Sequence, residues 1–529
     1  MRASSSISSG GGLSGDVGVA PNTAAGVNST RQAKIGNNGI NKILKIVIAW
    51  RRILPDHTDS CNPKLTLPNT TILNPVSVVE KGVLHRVLRL FTEVQSDEVG
   101  PALLLLANIF LVLTAYYFIK PVREGWLAVS VISGFSKMEI KAYSSFGQTL
   151  VLLALIPLYA KLAGHWPRRH LIERVGLFFL ANLFVFWLFY PGNLFVQVPY
   201  LGVIFYIWVG IFAVTLVAQF WSFAADLYDE ERGRRLFPLI AVGASAGAVA
   251  GSWISERLVK YWQVETFDLM LYAAVPLALA LGLAHYVDRY GITKSHDGAQ
   301  LREQPAARDG AGAYRMIWSN YYLRCTAFMV FVMFWVMTNG ENILFAAVQQ
   351  ALTSEGITDI EGIKSGTAVF YSHLYFWVNL SGLLLQAFVV SRLQRHGGFG
   401  ALLLTPPLVS LVSYGAMSAS NTLSVISAAK TAENGVNYSI NNTARQVLWL
   451  TTSREMIYKA KVAIDTLCVR FGDGLAALTV LIGSRVLKLE ITKFLGFNMM
   501  LILVWLLLAV LVVREHRRLS SLTECEKNE

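Results

Sequence analysis

The chain has 529 residues, 54% of them hydrophobic and only 15% charged, with a net charge of +12. A water-soluble domain carries about 25% charged residues, so this composition excludes an ordinary soluble enzyme. The four cysteines (Cys61, Cys325, Cys468, Cys525) are scattered, with no C-x-x-C pair and no histidine at ligand spacing, which argues against a disulfide framework or a metal site.

Residues 1–79 form a tail whose first fifty positions are rich in Ser, Gly and Asn, with Asp16 the only acid there. It reads as disordered, and its composition also loosely fits an organellar transit peptide. Residues 80–92 follow as a basic amphipathic helix on the membrane surface. Val83, Val87 and Leu88 lie on its apolar side, and Arg86 and Arg89 stand between them.

Twelve apolar runs come next, each about the length of a bilayer span. Six lie within residues 101–288: Pro101–Ile119, Ala142–Leu162, Leu171–Tyr190, Tyr200–Ala224, Leu236–Val259 and Leu269–Val287. A polar linker covers residues 289–319. Six more fill residues 320–513: Leu323–Val348, Thr367–Val390, Phe399–Met417, Leu423–Ile440, Ile464–Val486 and Phe494–Val513. Residues 514–529 form a basic tail. Six spans, a linker and six spans predict an all-α membrane protein in two six-helix halves, the layout of the major facilitator architecture.

Charge patterning orients it. The connections on the linker's side carry 18 Lys and Arg, against 8 on the other side. The positive-inside rule then places both termini in the cytoplasm, with the linker. A bacterial inner membrane is the first expectation and a plastid membrane the second. The basic excess is therefore a topology signal, and no nucleic-acid partner is expected.

Charges inside the spans are the candidate functional residues. Each costs about 2.5–3.5 kcal/mol at a bilayer centre on insertion scales, so a helix keeps one only where it faces the bundle interior or a water-filled cavity. The first span closes on Lys120, Arg123 and Glu124, which share one helix face around Pro121. Two cations beside a carboxylate suit a phosphate chain, and an interfacial anchor with snorkelling cations is the plainer alternative. Between the fourth and fifth spans, Asp226 precedes Arg232, Arg234 and Arg235, a candidate gate or simply solvated charge. The fifth span carries Gly243, Gly247 and Gly251 at four-residue spacing, which predicts close helix packing. No Walker motif or cofactor motif occurs.

In the second half, Glu341 sits within the seventh span as a partner for a cation of the other half or as a proton site. His373 reads more simply as a satisfied core histidine. The segment Lys430–Gly474 is the richest: Lys430 and Glu433 lie i, i+3 on the tenth span, Arg470 and Asp473 i, i+3 on the eleventh, and Arg445 in the connection between them. Each couple neutralises itself at rest and can exchange partners with a substrate, or else serves as a static pin between helices.

Three blocks resemble the ATP/ADP translocase (nucleotide transporter) family of intracellular bacteria and plastids, over roughly Leu84–Val513. The first-span IKPVRE is similar to the family's L-R-x-x-K-D. QFWSFAADLYDEERGRRLFPLIAVGASAGA is similar to its block joining the fourth and fifth spans. YSINNTARQVLWLTTS, followed by YKAKVAIDTLCVRFG, resembles its K-Y-S-x-F-D-P-x-K-E-x-A-Y-I-P block and the continuation K-G-K-A-A-V-D-V-x-x-x-R-x-G. The resemblance implies a twelve-span antiporter exchanging ATP for ADP, without a cofactor. Its phosphates would be drawn by Lys120, Arg123, Lys430, Arg445 and Arg470, with Glu124, Glu341, Glu433 and Asp473 compensating those cations when the site is empty. Tyr116, Tyr117 or Trp221 could stack the adenine, although an aromatic belt is the commoner reason for such residues. The departures are Asn442 and Gln446 where the family has acids, Arg445 for a lysine, and exchange of Lys and Arg at positions 120 and 123. The residues also leave open a transporter of another anion or metabolite, coupled to protons through Glu341 or Glu433, and a membrane protein that acts as a scaffold or sensor.

Overall fold

The computed structural model describes residues 99–165, 168–192, 200–228, 230–289, 310–420, 422–449, 452, 456–461 and 463–528. The tail 1–79, the amphipathic helix 80–92 and most of the linker 289–319 lie outside them.

The first half comprises α1 (Val99–Val129), α2 (Lys137–His165), α3 (Arg168–Leu188), α4 (Leu201–Leu227), α5 (Glu230–Lys260) and α6 (Leu269–Arg289). A short helix, α7 (Gly310–Ser319), leads into the second half: α8 (Tyr321–Ser354), α9 (Ile360–Phe388) and α10 (Val390–Ala419). Next, α11 (Leu423–Val436) runs through a π turn (Asn437–Asn441) into α12 (Asn442–Val447) and completes the tenth span. The eleventh is α13 (Val469–Leu481), extended by π turns at Ile457–Lys461, Ile464–Cys468 and Ile482–Val486; the last is α14 (Ile491–Asn528).

Each predicted span is a helix. Ten are long and apolar enough to cross a membrane among the described residues. The other two, α2 and α11–α12, hold the buried charges Lys141, Lys430 and Glu433. Large apolar side chains lie exposed around the bundle, among them Phe178, Val275, Val412 and Leu507, as a surface solvated by lipid tails requires. The chain is a multi-pass, all-α membrane protein.

Local sequence explains how the first half closes. Along α5, a Cβ at Gly243 or Gly247 would run into the carbonyls of Leu106 and Phe110, and one at Gly251 would stand 2.7 Å from the Thr114 carbonyl. The glycine stripe lets α5 lie directly on the α1 backbone, and Thr114 Oγ1 donates to Gly247 O at 3.3 Å. In the second half, α10 breaks at Gly398 (φ 62°), a left-handed conformation that favours glycine.

The seam between the halves is formed by α9 against α1 and α5, and by α8 and α13 against α2. Several ties cross it toward the end opposite the linker, called here the far side. Arg485 donates to Glu139 and to the Gly134 carbonyl. Lys364 pairs with Glu265 across the seam and with Glu361 on its own helix at 2.6 Å. His373 Nδ1 meets Glu256 at 3.1 Å, beside a 3.1 Å bond between Ser255 and Ser372. His373 thus has a carboxylate partner across the seam, beyond the core role read from the sequence.

Candidate functional site

The last turns of α1 bring Lys120, Arg123 and Glu124 into the interior, all three buried. Helical spacing alone accounts for their common face. Arg123 Nε donates to Glu124 Oε1 at 3.0 Å, and the other carboxylate oxygen accepts from Lys141 of α2. A fully buried carboxylate thus holds one cation on each oxygen. Tyr206 of α4 supplies an aromatic face to both cations, 4.5 Å from the Arg123 guanidinium carbon and 4.6 Å from the Lys141 ammonium. Lys141 also lies 5.3 Å from the Phe345 ring, which belongs to the second half.

Lys141 is the residue that reading the sequence missed. The apolar run opens at Ala142, which leaves Lys141 among the loop charges, yet α2 starts at Lys137 and Lys141 is 3% exposed. Nothing in its neighbours distinguishes a lysine that turns inward from one that anchors a helix end. The buried turn of α2 is what decides it.

Lys120 is held differently. Its ammonium lies 3.8 Å from the ring centre of Tyr375 on α9, 5.1 Å from Tyr117 and 5.7 Å from Tyr116. Tyr117 in turn donates to Asn379 of α9 at 3.0 Å. Tyr116 and Tyr117, expected to stack a base, here serve the lysine, with Tyr375 as a third ring from the opposite half. Trp221 packs edge-on against Phe220 and Phe237.

Facing this cluster, the second half contributes Glu341 from α8 and Lys430 and Glu433 from α11. The Lys430 ammonium stands 2.7 Å from Glu433 and 3.5 Å from Glu341, and Asn434 donates to Glu341 at 3.3 Å. Lys430 and Glu433 are each 1% exposed, whereas Glu341 keeps 36% of its side chain accessible in mid-helix. Glu341 is thus the most accessible side chain of this group. Its cation comes from its own half, a correction to the pairing across halves offered as one reading of the sequence. Lys120 and Lys141 also act on it electrostatically across the seam. The centre holds four cations, Lys120, Arg123, Lys141 and Lys430, against three carboxylates, Glu124, Glu341 and Glu433.

The other candidates fall into separate groups. Arg445 stands on α12, not in a connecting loop, because the tenth span continues past its π turn. It pairs with Asp465 at 2.6 Å and lies 5.1 Å from the Phe334 ring. Asp473 accepts from Thr338 of α8 at 2.6 Å and from Thr149 of α2 at 3.1 Å, with Arg470 at 3.5 Å. The expected i, i+3 pair is present, and its carboxylate also ties the two halves. Asp226 lies on α4, and Arg232, Arg234 and Arg235 on α5. The side chains of Asp226 and Arg234 lie outside the described residues, Arg232 is exposed and Arg235 half-buried.

On the far side a cavity of about 920 Å³ spans the seam, lined in part by Ser136, Lys137 and Glu139 of the first half and Gln349, Arg485 and Lys488 of the second. Arg485 sits at its wall, where it makes the bond to Glu139.

No protein-family model matches the sequence, and neither does any curated protein. Solved structures match it in shape at low identity. A mutant of the nucleoside transporter NupG superposes with a TM-score of 0.55 at 14% identity, covering 78% of this chain and 99% of that one. A peptide transporter POT in complex with sulfate gives 0.54 at 11% identity, covering 79% and 94%. A D-xylose-proton symporter gives 0.50 at 13% identity, covering 79% and 97%. This chain shares their fold, and with it the major-facilitator architecture of two six-helix halves.

Proposed function

We propose that this chain is a membrane transporter of phosphate-bearing anions, exchanging nucleotides of the ATP/ADP class by alternating access of its two halves around the central site. The observation that carries the reading is the Glu124 clamp. A buried carboxylate occupies Arg123 and Lys141 together, beside Lys120, so an internal anion rests where the phosphates of a substrate would bind. Exchange of one anion for another keeps two buried cations compensated throughout the cycle, which avoids the cost of leaving charge unpaired in a dry interior.

In this reading Lys120, Arg123 and Lys141 draw the phosphates, Glu124 is their resting counter-ion, and Glu341 with Lys430 forms the facing wall. Arg445 and Arg470 keep their own carboxylates and stand outside that group. Asp226, Arg232, Arg234 and Arg235 are assigned to a gate at the linker end. The Lys- and Arg-rich connections support a cytoplasmic position for that end, in a bacterial inner membrane as the reading has it. The three sequence blocks that resemble those of ATP/ADP translocases support the nucleotide. Asn442 and Gln446, which replace acids of that family, favour a second reading, another anionic metabolite on the same cations.

Proteoliposomes containing the purified chain test it. Uptake of labelled ATP that rises at least tenfold when ADP is loaded inside supports nucleotide exchange. Uptake that ignores internal nucleotide overturns it.

A further inference from the structure

We propose that the far-side cavity binds the phosphate of an anionic phospholipid headgroup, with Arg485 and Lys488 of the second half and Lys137 of the first as its cations. The inference does not depend on which anion the chain carries.

Size and depth come first. At about 920 Å³ the cavity falls in the range of small-molecule sites, about 300–1,000 Å³. Its walls are span ends: Lys137 in the first turn of α2, Thr353 and Ser354 in the last turn of α8, Ser484 and Arg485 where the eleventh span closes, and Ile491 where α14 begins. Span ends on one side of a bilayer stand at headgroup depth.

Charge is concentrated there against the general trend. The far side carries 8 Lys and Arg against 18 on the linker's side, and three of the eight line this one cavity. The carboxylates in its wall are Glu139 and Glu490, so the lining keeps an excess of one positive charge. Glu139 is committed on both oxygens: Oε2 accepts from Ser136 N at 2.8 Å, capping α2, and Oε1 accepts from Arg485.

The cations are only partly used. Arg485 donates Nε to Glu139 and Nη2 to the Gly134 carbonyl, which leaves Nη1, and Phe135 covers its guanidinium at 4.9 Å. Lys137 gives one of its three protons to Ser130 O at 3.0 Å. Lys488 makes no hydrogen bond or ion pair among the described residues. Its backbone is left-handed, at φ 47°, where a side chain is strained and glycine is not. The turn closes the helix end through Leu487 N to Ile482 O at 3.0 Å and Leu489 N to Gly483 O at 2.8 Å. Glycine would close it without strain, so this position accepts strain and places an ammonium in the cavity wall.

The rim selects a lipid over a free phosphate. Phe135 lies between Gly134 and Ser136, and Val486 and Leu487 lie between Arg485 and Lys488; these three apolar side chains are 45%, 70% and 58% exposed. Cations with bare apolar surface beside them match a phosphate that carries acyl chains. Snorkelling cations that anchor a helix end are the plainer reading, and they need no cavity.

Native mass spectrometry of the full-length protein in detergent, titrated with phosphatidylglycerol or phosphatidylcholine of the same acyl chains, tests the site. One phosphatidylglycerol is expected to bind about tenfold tighter than phosphatidylcholine. Lys488→Gly should weaken it about fivefold, and Lys137→Gln/Lys488→Gly about 20-fold. The glycine variant should melt no earlier than the wild type without lipid, because it relieves the left-handed strain. Lys488→Gln serves if it does not fold, and Lys488→Arg should keep the affinity. Lys493→Gln removes an exposed cation of the same side outside the cavity and should change nothing. Equal affinity for the two lipids overturns the proposal, and so does a loss in Lys493→Gln equal to that in Lys488→Gly, which marks general surface attraction. Displacement of the bound lipid by inorganic phosphate assigns the cavity to a soluble anion and overturns the lipid.

Discussion

The Lys120 ammonium on α1 stands 3.8 Å from the centre of the Tyr375 ring on α9, so a buried cation of one half is held by an aromatic face of the other. Among the described residues Lys120 meets three tyrosine rings at close range and makes no ion pair. Desolvated cation–π contacts are worth up to about 2 kcal/mol. Tyr375→Phe keeps the face and is expected to leave the unfolding temperature in detergent nearly unchanged. Tyr375→Leu is expected to lower stability by about 1–2 kcal/mol, read from the same melt.

Glu124 compensates two cations at once, Arg123 and Lys141. Removing one partner of a buried ionic group costs about 3–5 kcal/mol, because the remaining charge stays buried and uncompensated. Glu124→Gln is expected to melt earlier by that amount. The double variant Glu124→Gln/Lys141→Met should recover part of the loss, since the group then carries one cation less. Added polyanion should stabilise Glu124→Gln more than the wild type, which differential scanning fluorimetry reads directly.

Two glycines offer a packing control. Gly247 lies against the Phe110 backbone of α1, whereas Gly282 on α6 has nothing within 4 Å of the position a Cβ would take. Gly247→Ala is expected to cost about 1–3 kcal/mol by pushing α5 off α1. Gly282→Ala is expected to be neutral or to gain up to about 1 kcal/mol from helix propensity. Equal losses in the two melting curves would contradict the close α1–α5 packing.

The Arg485–Glu139 tie holds the far side of the seam at the wall of the large cavity. Because Arg485 is about half exposed, its pair contributes less than a buried one. Arg485→Glu should widen the distance between spin labels placed at positions 137 and 488, and Glu139→Arg in the same chain should restore it. Recovery in the swapped double variant separates a specific tie from general loss of folding.

Much of this architecture is written locally in the chain. Apolar run length reports span number because a bilayer demands it, and the four-residue glycine spacing reports close packing because it lays backbone bare along one helix face. The i, i+3 couples Lys430/Glu433 and Arg470/Asp473 are likewise helix geometry, and both form. Span ends are less legible: the start of α2 and the passage of α11 into α12 moved Lys141 and Arg445 from loops onto helices.

What no local pattern contains is which charges meet across helices. Lys141 joins Glu124, Glu341 shares Lys430, Tyr375 covers Lys120 and Asp473 ties Thr149 only because of how α2, α8, α9 and α13 pack. A buried charge must find a partner somewhere, so its presence in a span announces a site. The partner itself depends on the lowest-cost way to satisfy all of those charges together in a dry interior, and that balance is struck only by the packed bundle.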